Sequence, residues 1–247
     1  MMQTALLEGK NLSFSRADRV IFLNAAFSLV PKESLGLCGP IGCGKTTLLR
    51  TLGEELARSG ARVILATTTK FLPFPGIGTV PGGEREIMEA LGRAPLVCAA
   101  APWGESGKLA ASPVPMVRLR ALADYVLVEA DGSAGLPLKA HAPHEPVIPA
   151  EAARTILVVG ASGFGRPIRE AAHRPERYAQ LAGCDIETAV TPEIAARVLR
   201  AEGLGDLVLV NQAETPEARE LARKLAENLP LPVCAGSLRR GEMVCVS

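Results

Sequence analysis

Aromatic side chains are scarce in this chain. Phe, Tyr and Trp make up 4% of 247 residues, with one Trp and two Tyr. A stacking platform for single-stranded nucleic acid needs more of them. Net charge is nearly absent as well. Lys and Arg number 27 against 26 Asp and Glu, a formal charge of +1, which argues against a nucleic-acid binder working through bulk charge. No apolar run reaches the roughly 18 residues that a membrane-spanning helix needs. The opening MMQTALLEGKNL lacks the basic end and long apolar stretch of a signal peptide. These absences predict a cytoplasmic protein with no membrane span and no nucleic-acid partner. The six cysteines show no CxxC spacing, and several sit inside apolar runs. They are expected as buried thiols rather than as a metal cluster. With 48% hydrophobic residues, the chain has enough apolar side chains for a sizeable core, which rules out disorder as its main state.

Short apolar runs recur: SLGLC (34–38), RVILA (62–66), PLVCA (95–99), YVLVEA (125–130), TILVVG (155–160) and LVLVNQ (207–212). Near-continuous apolar strands belong in a parallel sheet covered on both faces. Helices are expected after the first run, with Leu48, Leu49, Leu52 and Leu56 on one face and Gly60 as the stop, and again over 84–92, 115–124, 192–202 and 216–228. Thr191 and Thr215, each followed by Pro, read as N-caps. The alternation predicts an α/β, three-layer, doubly wound and mostly parallel sheet. Ligands of such sheets bind at the carboxyl ends of the strands. Residues 1–33 are expected as an N-terminal β ribbon or extension, and residues 34–247 as a nucleotide-binding domain. The Pro- and Gly-rich stretches 71–83 and 100–115 are expected as loops near the site.

Residues 39–46, GPIGCGKT, fit G-x-x-x-x-G-K-[ST] in full, between a strand and an amphipathic helix. Gly39, Gly42 and Gly44 let the backbone wrap a phosphate with its N–H groups pointing inward. The helix N-terminus adds partial positive charge. Lys45 is expected to bridge phosphate oxygens, Thr46 to ligate Mg²⁺, and Thr47 to lie against the nucleotide. The acidic strand end places Glu129 and Asp131 on one face, flanking Ala130. Asp131 is assigned to the metal, and Glu129 to a catalytic base or to a group behind the metal's own ligands, roles that the sequence leaves exchangeable.

Thr67, Thr68, Thr69 and Lys70 end the next strand, and Thr69 and Lys70 suit contact with the γ-phosphate or an anionic substrate. Two histidines and a glutamate follow the acidic strand, but Pro143 and Pro146 break the helix that zinc spacing would need. The segment reads instead as an extended strap carrying a catalytic Lys139, with His144 and Glu145, over the phosphates. His173-Arg174-Pro175-Glu176 is a second polar cluster. Asn211, Gln212, Ala213 and Glu214 stand where guanine-selective P-loop proteins have Asn-Lys-x-Asp. Asn211 is a candidate purine contact, and the base, ATP, GTP or CTP, is left open.

Together, TTTK, VEADGS-x5-K, HEPVIP, HRPE and the late NQ-x-E resemble the selenium-dependent hydroxylase accessory protein family (YqeC). The resemblance runs from about Leu35 to Glu214, and EADGSAGLPLKAHAPHEPVIP is its most specific part. It implies a P-loop NTPase assisting maturation of selenium-dependent molybdenum hydroxylases. Mg²⁺ and a nucleoside triphosphate would be its cofactors. A molybdenum or selenium cofactor intermediate and the hydroxylase maturation proteins would be its further partners. Lys45, Thr46, Glu129, Asp131, Lys139, His144 and Glu145 are the positions it carries across. Residues 11–52 also read like the opening of an ABC-transporter ATPase, with Phe14 at an adenine-stacking distance. That alternative lacks an LSGGQ-like signature in 100–123 and has Gly132 after the acidic-strand Asp. A third reading is a nucleotide-sensing scaffold that delivers a cofactor without turnover.

Overall fold

The computed structural model describes residues 12–16, 19–25, 32–40, 43–132 and 135–247, the first two stretches through their backbone alone. The elements begin with β1 (Leu12–Arg16), β2 (Arg19–Ala25), β3 (Glu33–Cys38), α1 (Lys45–Arg58), β4 (Val63–Thr67), β5 (Lys70–Phe71) and β6 (Thr79–Val80). They continue with α2 (Glu84–Arg93), β7 (Leu96–Trp103), β8 (Lys108–Ala111), α3 (Met116–Leu122), β9 (Tyr125–Glu129), β10 (Leu138–Lys139) and β11 (Ala152–Gly160). The remainder is α4 (Ile168–Ala171), β12 (Ala172–His173), α5 (Pro175–Ala182), α6 (Pro192–Glu202), β13 (Leu207–Asn211), α7 (Pro216–Glu227), β14 (Val233–Ser237) and β15 (Glu242–Cys245).

One sheet runs in the order β1-β2-β15-β14-β13-β11-β3-β9-β4-β7-β8-β5. Its centre, β14 to β7, is parallel throughout. The fold is therefore the expected α/β, doubly wound, mostly parallel sheet, with antiparallel additions at both edges. The phosphate-loop strand β3 pairs directly with the acidic strand β9, Leu37 opposite Glu129. β1 and β2 form an antiparallel ribbon, and β2 meets β15 at Leu23 and Val244. The Phe14 side chain lies outside the described residues.

Side-chain alternation explains the three layers. Leu35, Leu37 and Leu127 pack on one face with Leu48, Leu49, Leu52 and Leu56 of α1. Ile64, Val126 and Val128 pack on the other face with Ile87 of α2 and Leu119 of α3. Val208 and Val210 meet α6 and α7 on that second face. Each fully buried Leu of α1 contributes about 1.5–3 kcal/mol. The Thr191 and Thr215 side chains accept hydrogen bonds from the Ile194 and Ala218 N–H groups, closing the starts of α6 and α7.

Residues 100–115 are not the expected loop. β7 runs on to Trp103 and returns as β8, an antiparallel hairpin turned at Gly104 and Gly107, both at positive φ. Proline is tolerated at such a sheet margin, so Pro102 does not end the strand. None of the six cysteines is in a disulfide, and Cys38, Cys43, Cys98 and Cys234 are buried. No described helix is long and apolar enough to cross a membrane.

Candidate functional site

The parallel strands bring their carboxyl ends to one edge, and the site is built there. Gly39 follows β3 with φ +132°, and a Cβ at this position would collide with the Val158 carbonyl. Gly44 opens α1 with φ +108°, and its Cβ would lie 2.5 Å from Asn211 Nδ2. Both positions require glycine. Gly42 lies outside the described residues. Thr46 and Thr47 are exposed on the first turn of α1.

Lys45 is turned inward. It is 3% exposed, its Nζ donates to the Gly39 carbonyl, and it lies 3.2 Å from Asp131. Burial works against its charge, but anionic surroundings, Asp131 and Glu129 among them, hold its pKa raised. Asp131 is fully buried and surrounded by donors. It accepts from the Gly39 N–H at 3.1 Å, from Lys139 at 3.0 Å, and is bonded to His141 Nε2 at 3.0 Å. Burial raises its pKa, yet the His141 bond and the two lysines win and bring it down to about 2.

This geometry favours an exchange of the two carboxylates' expected roles. The Thr46 hydroxyl donates to Glu129 Oε2 at 3.2 Å, whereas Asp131 is engaged by the loop and by three cationic side chains. Burial raises the Glu129 pKa against the opposing pull of Lys45 and Thr46. The Thr67 hydroxyl donates to the Glu129 carbonyl at 3.0 Å, and the Thr69 N–H donates to Thr67 at 3.0 Å. Thr69 thus sits one residue removed from the acidic strand end.

The strap departs from expectation. Lys139 has a side chain with no exposed surface, paired with Asp131 at 3.0 Å and Glu145 at 2.9 Å. Its charge is spent on carboxylates rather than held out for a ligand. His144 is 79% exposed, and its nearest charged neighbour is Glu145 at 3.9 Å. The histidine that enters the cluster is His141. Its Nδ1 meets Glu202 at 2.9 Å and its Nε2 meets Asp131. Burial lowers its pKa, but both carboxylates outweigh that and raise it. Glu145 receives a bidentate pair from Arg174 at 2.9 and 3.0 Å. Burial would raise its pKa, but Arg174 and Lys139 bring it to about 2. Lys70 is likewise not in the cluster: its ammonium lies 3.7 Å from the centroid of the Trp103 ring.

His141 carried a signal that sequence reasoning passed over. In an extended segment, residues two apart share a side, so His141 accompanies Lys139 and His144 does not. Arg174 stood in the polar cluster at 173–176, but its pairing with Glu145, 29 positions away, was not legible, and Glu202, 61 positions from His141, carried no signal.

Asn211 serves as a brace. Its Nδ2 donates to the Cys43 carbonyl at 2.7 Å, and its Oδ1 accepts from the Leu238 N–H at 2.9 Å. The turn after β14, Leu238 to Arg240, was missed altogether; it lines a cavity together with Gly44, Gln212 and Glu214. A smaller cavity lies between Thr46, Arg50 and Phe74, so part of the 71–83 stretch does border the site. Among the described residues no group of three or more His, Cys, Asp or Glu could hold a metal.

A family model described as YqeC protein matches residues 40–176. Protein YqeC of Escherichia coli (strain K12) is 34% identical over 147 residues, a match covering 57% of each chain. The chain therefore spans little more than half of that relative's length. The cytochrome c biogenesis ATP-binding export protein CcmA of Hahella chejuensis is 50% identical, but over 50 residues, 20% of this chain and 24% of its own. Among solved structures, FtsY from Mycoplasma mycoides matches at a TM-score of 0.43 and 12% identity, over 87% of this chain and 63% of that one. The Aquifex aeolicus MinC:MinD complex gives 0.44 and 14%, over 85% and 86%.

Proposed function

The chain belongs to the YqeC family, and on that premise we propose that it binds a magnesium nucleoside triphosphate at the 39–46 loop and acts on it, as a hydrolase or as a phosphoryl or nucleotidyl transferase. The observation that carries this reading is the pairing of a strained-glycine loop with an acidic strand end in direct register, Thr46 facing Glu129 at 3.2 Å. Mg²⁺ takes oxygen ligands and needs only one or two from protein when phosphates and water complete its shell. The Thr46 hydroxyl and the Glu129 carboxylate fit that demand and would hold it. When bound, the ion supplies neutralisation of phosphate charge.

The protein's own groups do the rest. Backbone N–H groups of the loop and the start of α1 bind phosphate oxygens. Lys45 exchanges the Gly39 carbonyl for a phosphate oxygen, while Lys139 and His141 continue to balance Asp131. Asp131 is then a positioning residue, holding the Gly39 N–H and Lys45. The division into an extension, residues 1–33, and a nucleotide-binding domain, residues 34–247, belongs to the same proposal.

The biological setting is proposed from the family resemblance: maturation of selenium-dependent molybdenum hydroxylases, with a molybdenum or selenium cofactor intermediate as second ligand. A scaffold without turnover would share the binding site. Calorimetric titration with Mg-ATP, Mg-GTP and Mg-CTP, followed by product analysis, separates the two. Lys45→Ala is expected to weaken triphosphate binding about tenfold to a hundredfold, the worth of a charged hydrogen bond. Unchanged affinity in that variant removes the loop as the nucleotide site.

A further inference from the structure

A cavity of about 590 Å³ opens beside the phosphate loop. Three segments wall it: the start of α1, the residues after β13, and the turn after β14. Its frame is fixed by the protein's own hydrogen bonds. Asn211 ties the Cys43 carbonyl to the Leu238 N–H, the Ala213 N–H donates to the Gly236 carbonyl at 2.8 Å, and the Ser237 hydroxyl accepts from the Arg240 N–H at 3.3 Å. A frame fixed beforehand spares a ligand the cost of ordering it.

The polar lining is asymmetric. Glu214 is half-buried at the cavity wall, and among the described residues no hydrogen bond or ion pair reaches its carboxylate. This contrasts with Asp131 and Glu145, whose oxygens are all engaged. Arg239 and Arg240 are exposed and line the same cavity. The cavity therefore offers an acceptor-only group and donor-only groups.

We propose that this cavity receives the base of the nucleotide and selects guanine. The inference rests on the nucleotide reading above and adds its base. A carboxylate has two acceptor oxygens and pairs best with two adjacent N–H donors. Guanine presents such a pair, N1–H and the 2-amino group, on one edge. On another edge it presents two acceptors, O6 and N7, the pair that a guanidinium meets bidentately. Adenine sets the N1 lone pair beside its amino group, so a carboxylate there gains one bond and faces one repulsion. Cytosine carries a single amino donor flanked by an acceptor. A site whose acceptor loses its donor discriminates against the analogue.

Titration of the full-length protein with GTP, ATP, CTP and inosine triphosphate tests this without any variant. Inosine triphosphate keeps O6, N7 and N1–H but lacks the 2-amino donor. GTP is expected to bind at least tenfold tighter than ATP or CTP, and several-fold tighter than inosine triphosphate. In Glu214→Ala the gap between GTP and inosine triphosphate should close, with ATP affinity unchanged or improved. If ATP or CTP matches GTP in the unaltered protein, guanine selection is wrong while nucleotide binding stands. If GTP is preferred but Glu214→Ala leaves the inosine gap intact, the cavity is not the base site. Failure of all four to bind overturns the underlying nucleotide reading instead.

Discussion

The two ends of the candidate site are built on opposite principles. At the phosphate end, Asp131, Glu145 and Glu202 are matched by Lys45, Lys139, His141 and Arg174 at 2.9 to 3.2 Å. At the cavity end, Glu214 has no partner among the described residues and two arginines stand exposed. The first end is held by its own countercharges. The second is framed by the Asn211 amide, the Ser237 hydroxyl and backbone bonds, which leaves the Glu214 carboxylate for a ligand. Removing a charge should therefore damage the fold at one end and alter recognition at the other.

The largest contrast lies between the two carboxylates. Asp131→Ala leaves Lys45, Lys139 and His141 buried without their common anion, so a loss of about 3–5 kcal/mol in urea unfolding is expected. Glu214→Ala should stay within about 0.5 kcal/mol of the unaltered protein in the same measurement. Equal losses would erase the distinction between the two ends.

The histidines sharpen it. His141→Ala strips a partner from both Asp131 and Glu202 and should cost about 3 kcal/mol. His144→Ala, at an exposed side chain, should change stability by no more than about 0.5 kcal/mol. Comparable unfolding midpoints for the two variants would place the wrong histidine in the cluster.

Acid tests the phosphate end without any substitution. Asp131 falls from 3.8 to about 2 on folding, and Glu145 from 4.5 to about 2. A depressed carboxyl contributes stability above its unfolded pKa and loses it as pH falls through the folded one. The Asp131 share is on the order of 2 kcal/mol, lost between about pH 4 and pH 2. His141 is shifted upward, so its share is full below its unfolded pKa and fades as pH rises through the raised value. Unfolding measured from acid to mildly alkaline pH should show both flanks, and a flat acid flank would mean that Asp131 is not held as described.

What the sequence made legible was local. The phosphate loop and the acidic strand end are each written in fewer than ten consecutive residues, and their side chains meet because β3 and β9 are neighbours. The caps at Thr191 and Thr215 were legible for the same reason. The place of His141 in the cluster was not legible because its partner Glu202 arrives from α6. The 100–115 stretch was misread because its prolines and glycines mark turns, and Gly104 and Gly107 turn a hairpin rather than end a strand. The cavity wall at 238–240 was invisible because two exposed arginines after a short strand have no local pattern, and only the adjacency of β13 and β14 brings them to the loop.

The brace at Asn211 has a consequence for the order in which the protein comes into being. The Cys43 carbonyl waits for a partner 168 positions downstream. Chains emerge amino end first, at roughly 5–20 residues per second, so about ten to thirty seconds separate synthesis of the loop from synthesis of the residue that steadies it. A nascent chain that has emerged only through residue 176 holds the whole stretch matched by the family, yet has neither Asn211 nor Leu238 to close the far wall. On the proposed reading, a nascent chain offers phosphates a loop before it offers a base anywhere to sit, and base selection begins only once Asn211 and Leu238 have folded against the loop.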